Sequence, residues 1–142
     1  MRLFLDTEFN GFQGELLSMA LVPEYRNGQE FYVELEFKGQ LDPWVKENVV
    51  PHMFLTPATK SEFQQQLKHY LYKVGPCTIV ADWPDDIRYL CESMITGPGE
   101  CLWPIPNLSF DLDFNIKYNS EVPHNALWDA RAIRNAYLEN LK

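Results

Sequence analysis

The chain has 142 residues, of which 46% are hydrophobic and 23% charged. This length and composition predict one globular domain over residues 1–142 and argue against a disordered chain. The net charge of −8 argues against tight, non-specific binding to duplex nucleic acid and favours a site that concentrates carboxylates around cations.

The sequence also predicts the compartment of the cell in which the protein is found. No apolar run approaches the ~20 residues that a membrane helix needs, and the first residues lack the pattern of a signal peptide. The three cysteines form no CxxC pair, which favours ordinary thiols in a reducing compartment. We therefore expect a soluble cytoplasmic protein without membrane contact.

The first third of the chain predicts three strands. Residues 2–8 and 15–22 are apolar runs, and Asn27-Gly28 is a strong signal for a tight turn between strands. Over residues 31–37, apolar and polar residues alternate, with Tyr32, Glu34 and Glu36 on the polar side. This period of two predicts a strand with one solvated face near the edge of a sheet.

The rest of the chain alternates helices and strands. Thr59 and Glu62 form a capping box, and apolar residues then recur at helical spacing. The predicted elements are a short helix over 41–50, a helix over 60–74, a strand over 77–81, a helix opened by Pro84, a strand within 106–112 and a helix over 125–141. This order predicts an α/β domain with a mixed sheet.

Asp6 and Glu8 are the first candidate functional residues. They lie two positions apart at the end of the first strand, so both side chains point to the same face. Two neighbouring carboxylates repel each other unless a cation lies between them, and Mg²⁺ prefers oxygen ligands of this kind. A pair of solvated acids at the end of a strand is the alternative interpretation.

A second candidate group surrounds the start of the last helix. His124 and Asp129 are five residues apart and would diverge if both lay on the helix. Pro123 and a plausible N-cap at Asn125 instead place His124 just before the helix. Asp129 then lies near the helix start, and we expect it close to Asp6.

A third group of acids, Asp82, Asp85 and Asp86, follows the strand over 77–81. Acids are common at helix N-termini because the helix dipole favours them there. We expect Asp82 to cap the helix and Asp85 to face solvent. Asp86 stands four residues before Leu90 and borders the buried face at the helix start.

These motifs together resemble the DEDDh (DnaQ-like) 3′-5′ exonucleases. The matching motifs are Asp6-Thr7-Glu8, the acid Asp86 and the sequence HNALWDA over 124–130, in the same order over nearly the whole chain. DTEF together with HNALWDA is similar to the small, stand-alone exoribonuclease branch. In one departure, Asp82 and Trp83 occupy the region where related exonucleases often carry an asparagine.

The resemblance implies a ribonuclease H-like fold: a mixed five-stranded sheet, with a three-strand antiparallel meander and later parallel strands, flanked by helices. It implies two Mg²⁺ ions, for which Mn²⁺ can substitute, bound by Asp6, Glu8, Asp86 and Asp129. His124 would be the general base. Members of this family often form homodimers, so the resemblance leads us to expect a homodimer for this protein as well.

The implied substrate is a single-stranded nucleic acid, with RNA favoured over DNA. Phe9 and Trp83 are the candidate residues for stacking on bases, at ~1–3 kcal/mol per base. Trp83 is the weaker of the two candidates, and a phenylalanine of the core is the alternative interpretation for Phe9. The competing functions are a DNA-trimming or proofreading-type exonuclease, a catalytically idle binding module and a phosphohydrolase of small molecules.

Overall fold

The computed structural model describes residues 1–142, in which four helices flank a five-stranded sheet. The strands of this sheet are β1 (Arg2–Phe9), β2 (Leu16–Pro23), β3 (Phe31–Glu34), β4 (Cys77–Ala81) and β7 (Leu108–Leu112). The helices are α1 (Pro43–Asn48), α2 (Lys60–Val74), α3 (Pro84–Ser93) and α4 (Ala126–Asn140). A small hairpin of β5 (Ile95–Gly97) and β6 (Glu100–Cys101) follows α3, and a 3₁₀ turn spans Val50–His52.

The sheet is mixed, with the strand order β3-β2-β1-β4-β7. β1, β2 and β3 form an antiparallel meander, whereas β4 runs parallel to both β1 and β7. The predicted fold class is therefore confirmed, and the arrangement is consistent with a ribonuclease H-like fold. Because β1 and β4 are parallel neighbours, the residues that follow the two strands lie close together at the C-terminal ends of these strands.

β1 lies at the centre of the sheet and its side chains alternate between the two faces. Leu3 and Leu5 are fully buried in the core formed with α2 and α3. Phe4 points to the opposite face, where it packs with Ile133 of α4. The even-numbered side chains of β1 therefore face α4, and this places Asp6 and Glu8 on the α4 side.

α4 packs closely on the sheet because its contact face is small. Ala126 and Ala130 are completely buried against Ala20 and Val22 of β2. This contact brings the start of α4 to the end of the sheet where β1 finishes.

Local sequence signals set the helix boundaries. The Thr59 hydroxyl accepts a hydrogen bond from the Glu62 N–H at 3.1 Å, so the predicted cap of α2 is confirmed. Gly75 ends α2 with φ of 81°, a conformation that glycine adopts without steric cost. None of the helices combines the length and apolarity that crossing a membrane requires.

β3 differs from its prediction in two respects. It lies at the edge of the sheet, as predicted, but the strand ends at Glu34, and Glu34 is only 1% exposed rather than solvated. The segment after the 3₁₀ turn covers it, and the N–H groups of Phe54 and Leu55 donate to its carboxylate at 2.9 and 2.7 Å. A contact from a distant segment thus overrides the alternating pattern.

Candidate metal centre

The parallel pairing of β1 with β4 brings Asp6 next to Asp82. Phe4 pairs with Val80, so the register extended by two residues places Asp82, just beyond β4, beside Asp6. Asp6 is 6% exposed and Asp82 is half-buried. Two acids therefore meet where the two strands end.

Asp86 completes a first acidic group with these two residues. One carboxylate oxygen from each of Asp6, Asp82 and Asp86 lies within 4.8 Å of the others. Asp86 is buried in the first turn of α3, where its Oδ1 accepts hydrogen bonds from the Thr7 N–H and hydroxyl. The structure therefore places Asp86 at the site, as expected from the sequence.

Glu8, His124 and Asp129 form a second group, in which the ligand atoms again lie within 4.8 Å of one another. Asn125 is the N-cap of α4 and accepts a hydrogen bond from the Trp128 N–H, so His124 precedes the helix as predicted. His124 has a φ of 69°, and its N–H donates to Asp129 Oδ2 at 3.1 Å. This left-handed turn brings the imidazole back over the end of the sheet.

The concentration of carboxylates makes ionisation costly. Burial and then the charges of Asp86, Glu8 and other acids raise the pKa of Asp6 well above its usual range. Burial, followed by repulsion from Asp129 and Asp86, raises the pKa of Glu8 to about 9. Burial raises the pKa of Asp86 to about 7, although the hydrogen bond from the Thr7 hydroxyl opposes this shift.

Burial also raises the pKa values of Asp82 and Asp129. Five neighbouring acids with raised pKa values are stabilised in their charged forms by a bound cation. Burial and mutual repulsion therefore give this site a reason to take up positive charge.

Two buried oxygen atoms without a hydrogen-bond partner indicate that the site fits a metal ion. Asp6 Oδ2 and Asp129 Oδ1 are buried and have no hydrogen-bond partner. Buried polar atoms are normally paired, and an ion is one of the partners that can satisfy such atoms. Carboxylate oxygens are the ligands of hard divalent cations such as Mg²⁺ and Mn²⁺. The residues of both groups thus fit divalent cations.

The role expected for Asp82 is wrong. Trp83, not Asp82, occupies the N-cap position of α3, and no side chain caps this helix. Asp82 instead belongs to the first acidic group. Its position directly after β4, the parallel neighbour of β1, is the signal that could have identified it. Asp85 lies outside both groups, and its 27% exposed side chain contacts Arg88 Nε at 3.3 Å.

The two aromatic candidates lie near the site in different environments. Phe9 is half-buried and stacks on Tyr89, with ring centroids 4.7 Å apart. Trp83 is 56% exposed, and its Nε1 donates to Asp85 Oδ2 at 3.2 Å. One face of the Phe9 ring is thus occupied by Tyr89, whereas Trp83 is largely open to solvent.

Two further aromatic residues lie at the site and were not identified from the sequence. Trp44 of α1 is 52% exposed and meets the His124 ring edge-on, with centroids 4.9 Å apart. Tyr118 is half-buried, and burial together with the charges of Asp6 and Asp129 raises its pKa. No spacing in the sequence links these residues to His124 or Asp6, because the fold alone brings them together.

Comparison with known proteins adds no family assignment. No protein-family model matches the chain, and no curated protein matches it. The resemblance to DEDDh exonucleases therefore depends on the sequence motifs, and the function is argued below from the fold and the site.

Proposed function

We propose that the protein is a two-metal-dependent 3′-5′ exonuclease, and specifically an exoribonuclease that releases nucleoside 5′-monophosphates from single-stranded ends. One observation carries the proposal. Five carboxylates and one imidazole converge at one edge of the sheet, in two groups with ligand spacing, and two buried oxygens have no partner. No other part of the fold offers a comparable set of ligands.

The two groups would hold one ion each. Asp6, Asp82 and Asp86 provide oxygen ligands for the first ion, and Glu8 and Asp129 for the second. When bound, two divalent ions stabilise the attacking and leaving oxygens of a phosphodiester and lower the pKa of a bound water. Five ionised acids offset the four positive charges of two divalent ions, so the charge that remains at the site is small.

His124 would act as the general base. An imidazole changes its charge near neutral pH, and it can accept a proton from water that attacks phosphorus. In this structure a ring nitrogen of His124 lies within 4.8 Å of carboxylate oxygens of Glu8 and Asp129. The ring thus borders the acids without belonging to the buried part of the cluster.

The surroundings of the site support a single-stranded substrate. Trp44 and Trp83 are both more than half exposed, and each neighbours a site residue, His124 or Asp82. Exposed aromatic rings of this kind stack on unpaired bases at ~1–3 kcal/mol per base. The preference for RNA over DNA is inferred from the motif resemblance alone.

The decisive experiment uses 5′-labelled RNA and DNA strands of one sequence, incubated with Mg²⁺, Mn²⁺ or EDTA and resolved on a sequencing gel. We expect a ladder of RNA products shortened from the 3′ end, abolished by EDTA and by Asp6→Asn. Asp85→Asn is the matched control, since Asp85 lies outside both acidic groups.

Each of the other possible outcomes of this experiment would contradict the proposal and indicate a different function. Stronger trimming of DNA than of RNA would indicate an exodeoxyribonuclease. Metal-dependent binding of either strand without cleavage would indicate a binding module. No binding and no cleavage would remove nucleic acid as the substrate.

A further inference from the structure

A buried carboxylate on the sheet belongs to neither acidic group, and Ser18 of β2 lies between it and Glu8 in the strand register. Glu34 of β3 is 1% exposed, and every partner that it has donates to it. Phe54 and Leu55 donate their N–H groups, and the Tyr32 hydroxyl donates to Oε2. Three donors thus satisfy this carboxylate, which ties the segment after the 3₁₀ turn to β3.

Tyr32 extends this arrangement toward α4. Its hydroxyl donates to Glu34 and accepts from Asn125 Nδ2, at a distance of 3.2 Å. Its ring packs against Phe54, with centroids 5.4 Å apart. A tyrosine hydroxyl has one proton to donate, so the bond to Glu34 fixes the direction of the bond from Asn125.

Asn125 uses the hydrogen-bonding capacity of its whole side chain. Its Nδ2 donates to Tyr32 and to the His52 carbonyl, the latter at 2.9 Å, while its Oδ1 accepts from the Trp128 N–H. Asn125 is 1% exposed. The residue is therefore anchored at once to β3, to the 3₁₀ turn and to the first turn of α4.

His124, the neighbour of Asn125, has a backbone conformation that needs such an anchor. Its φ of 69° lies in the left-handed region, which residues other than glycine rarely occupy. The same turn places the His124 ring at Glu8 and Asp129. Any movement of Asn125 would turn the peptide that directs this ring.

We infer that the chain of hydrogen bonds from Glu34 through Tyr32 to Asn125 holds His124 in its working position. Tyr32 and Asn125 are then positioning residues, which act through His124 without touching the substrate or the metals. The inference rests on the proposed function for its kinetic consequence, but the placement of His124 can be measured without any substrate.

The test compares Tyr32→Phe with Tyr70→Phe. The first variant removes only the hydroxyl that joins Glu34 to Asn125. The second removes a similarly buried hydroxyl on α2, which donates to the Gln29 carbonyl at 2.7 Å, on the other face of the sheet. Asn125→Ser is a further variant, because serine keeps the helix cap but cannot make the two bonds donated by Nδ2.

We expect Tyr32→Phe and Asn125→Ser to lower kcat by about ten- to a hundredfold, as small misplacements of a reacting group do. KM and the affinity for Mn²⁺ should stay within about twofold of the wild-type values. In ¹H–¹⁵N spectra with Mg²⁺, the His124 amide and ring signals should shift or broaden. Tyr70→Phe should leave kcat and the His124 signals unchanged.

Two results would overturn the inference. One is an unchanged kcat and unchanged His124 signals in Tyr32→Phe, and the other is an equal loss in Tyr70→Phe, which would indicate general destabilisation. If the wild type cleaves no nucleic acid, the proposed function fails separately, and the His124 signals alone decide whether the network positions the ring.

Discussion

Thr7 donates two hydrogen bonds to the same oxygen of Asp86, one from its backbone N–H at 3.1 Å and one from its hydroxyl at 2.5 Å. The two residues are 79 positions apart, so this contact fixes the start of α3 against the end of β1. Burial raises the pKa of Asp86, and the Thr7 hydroxyl opposes that shift. Thr7 therefore both orients this carboxylate and favours its charged form.

Replacing Thr7 with valine should weaken metal binding. Valine preserves the branched shape but removes the hydroxyl donor, so Asp86 loses one of its two orienting bonds. Groups that orient a metal ligand typically contribute about 10–100-fold to metal affinity. Calorimetric titration with Mn²⁺ measures the change. Thr78→Val is the control, because Thr78 lies on β4 and contacts neither Asp86 oxygen through a hydrogen bond. Equal affinities for both variants would contradict the role of Thr7.

The three acids around the start of α3 should separate into two classes. Asp82→Asn and Asp86→Asn each remove a charge from the first acidic group and should lower both Mn²⁺ affinity and nuclease activity at least about tenfold. Asp85→Asn should be mild, because Asp85 pairs with Arg88 outside the group. A severe effect of Asp85→Asn, with mild effects at the other two positions, would show that the group is wrongly assigned.

The sequence predicts those parts of the site that local signals determine. The cap at Asn125 and the placement of His124 before α4 depend on neighbouring residues, and the structure confirms both. The predictions for Asp82 and Glu34 are wrong because partners from distant segments determine the environments of these two residues. A helix-start acid and an alternating strand residue have strong local interpretations, and the fold overrides each of them.

The same limit applies to Trp44. Its contact with His124 joins α1 to the turn before α4, across 80 residues of chain. Neither hydrophobic periodicity nor a capping motif carries information about which helix start meets which turn. The sheet order and register supply that information, and they follow only from the packed structure.

The stability of the metal-free protein should fall as the pH rises. The pKa values of Glu8 and Asp86 are raised to about 9 and about 7, whereas carboxyls in an unfolded chain titrate near about 4. Between these limits the folded state holds more protons than the unfolded state, so the free energy of unfolding decreases with increasing pH. Thermal unfolding in EDTA at several pH values from 5 to 9 checks the sign.

Asp6→Asn provides the control for this pH dependence. Removing the charge of this buried acid should raise the Tm of the metal-free protein at pH 8.5, by roughly 4 °C for each kcal/mol of repulsion relieved. Added Mg²⁺ should raise the Tm of the wild type by more than it raises the Tm of the variant, which keeps the second group of ligands. A Tm that rises with pH in EDTA would mean that the acids do not repel one another as described.

His124→Ala should separate catalysis from metal binding. As a general base, His124 should contribute about 10²–10⁴-fold to kcat. Its removal should leave Mn²⁺ affinity nearly unchanged, because the carboxylates of both groups remain. His69→Ala, at an exposed position on α2, is the control. A collapse of metal affinity in His124→Ala would make the imidazole a ligand and would require another base.

The final prediction concerns the end of the substrate strand. The chain has only 12 lysine and arginine residues against 20 acids, so few cations are available to follow the backbone of a long duplex. A site formed by two metal ions, His124 and exposed aromatic rings can still hold the last one or two unpaired nucleotides. We therefore expect stepwise release of nucleoside 5′-monophosphates from single strands and 3′ overhangs, with slowing or arrest at a blunt duplex end.

Matched linear and circular strands of one RNA sequence provide the sharpest comparison. The circular strand has no 3′ end and should remain intact while the linear strand is degraded, and cleavage of the circle would exclude exonuclease action.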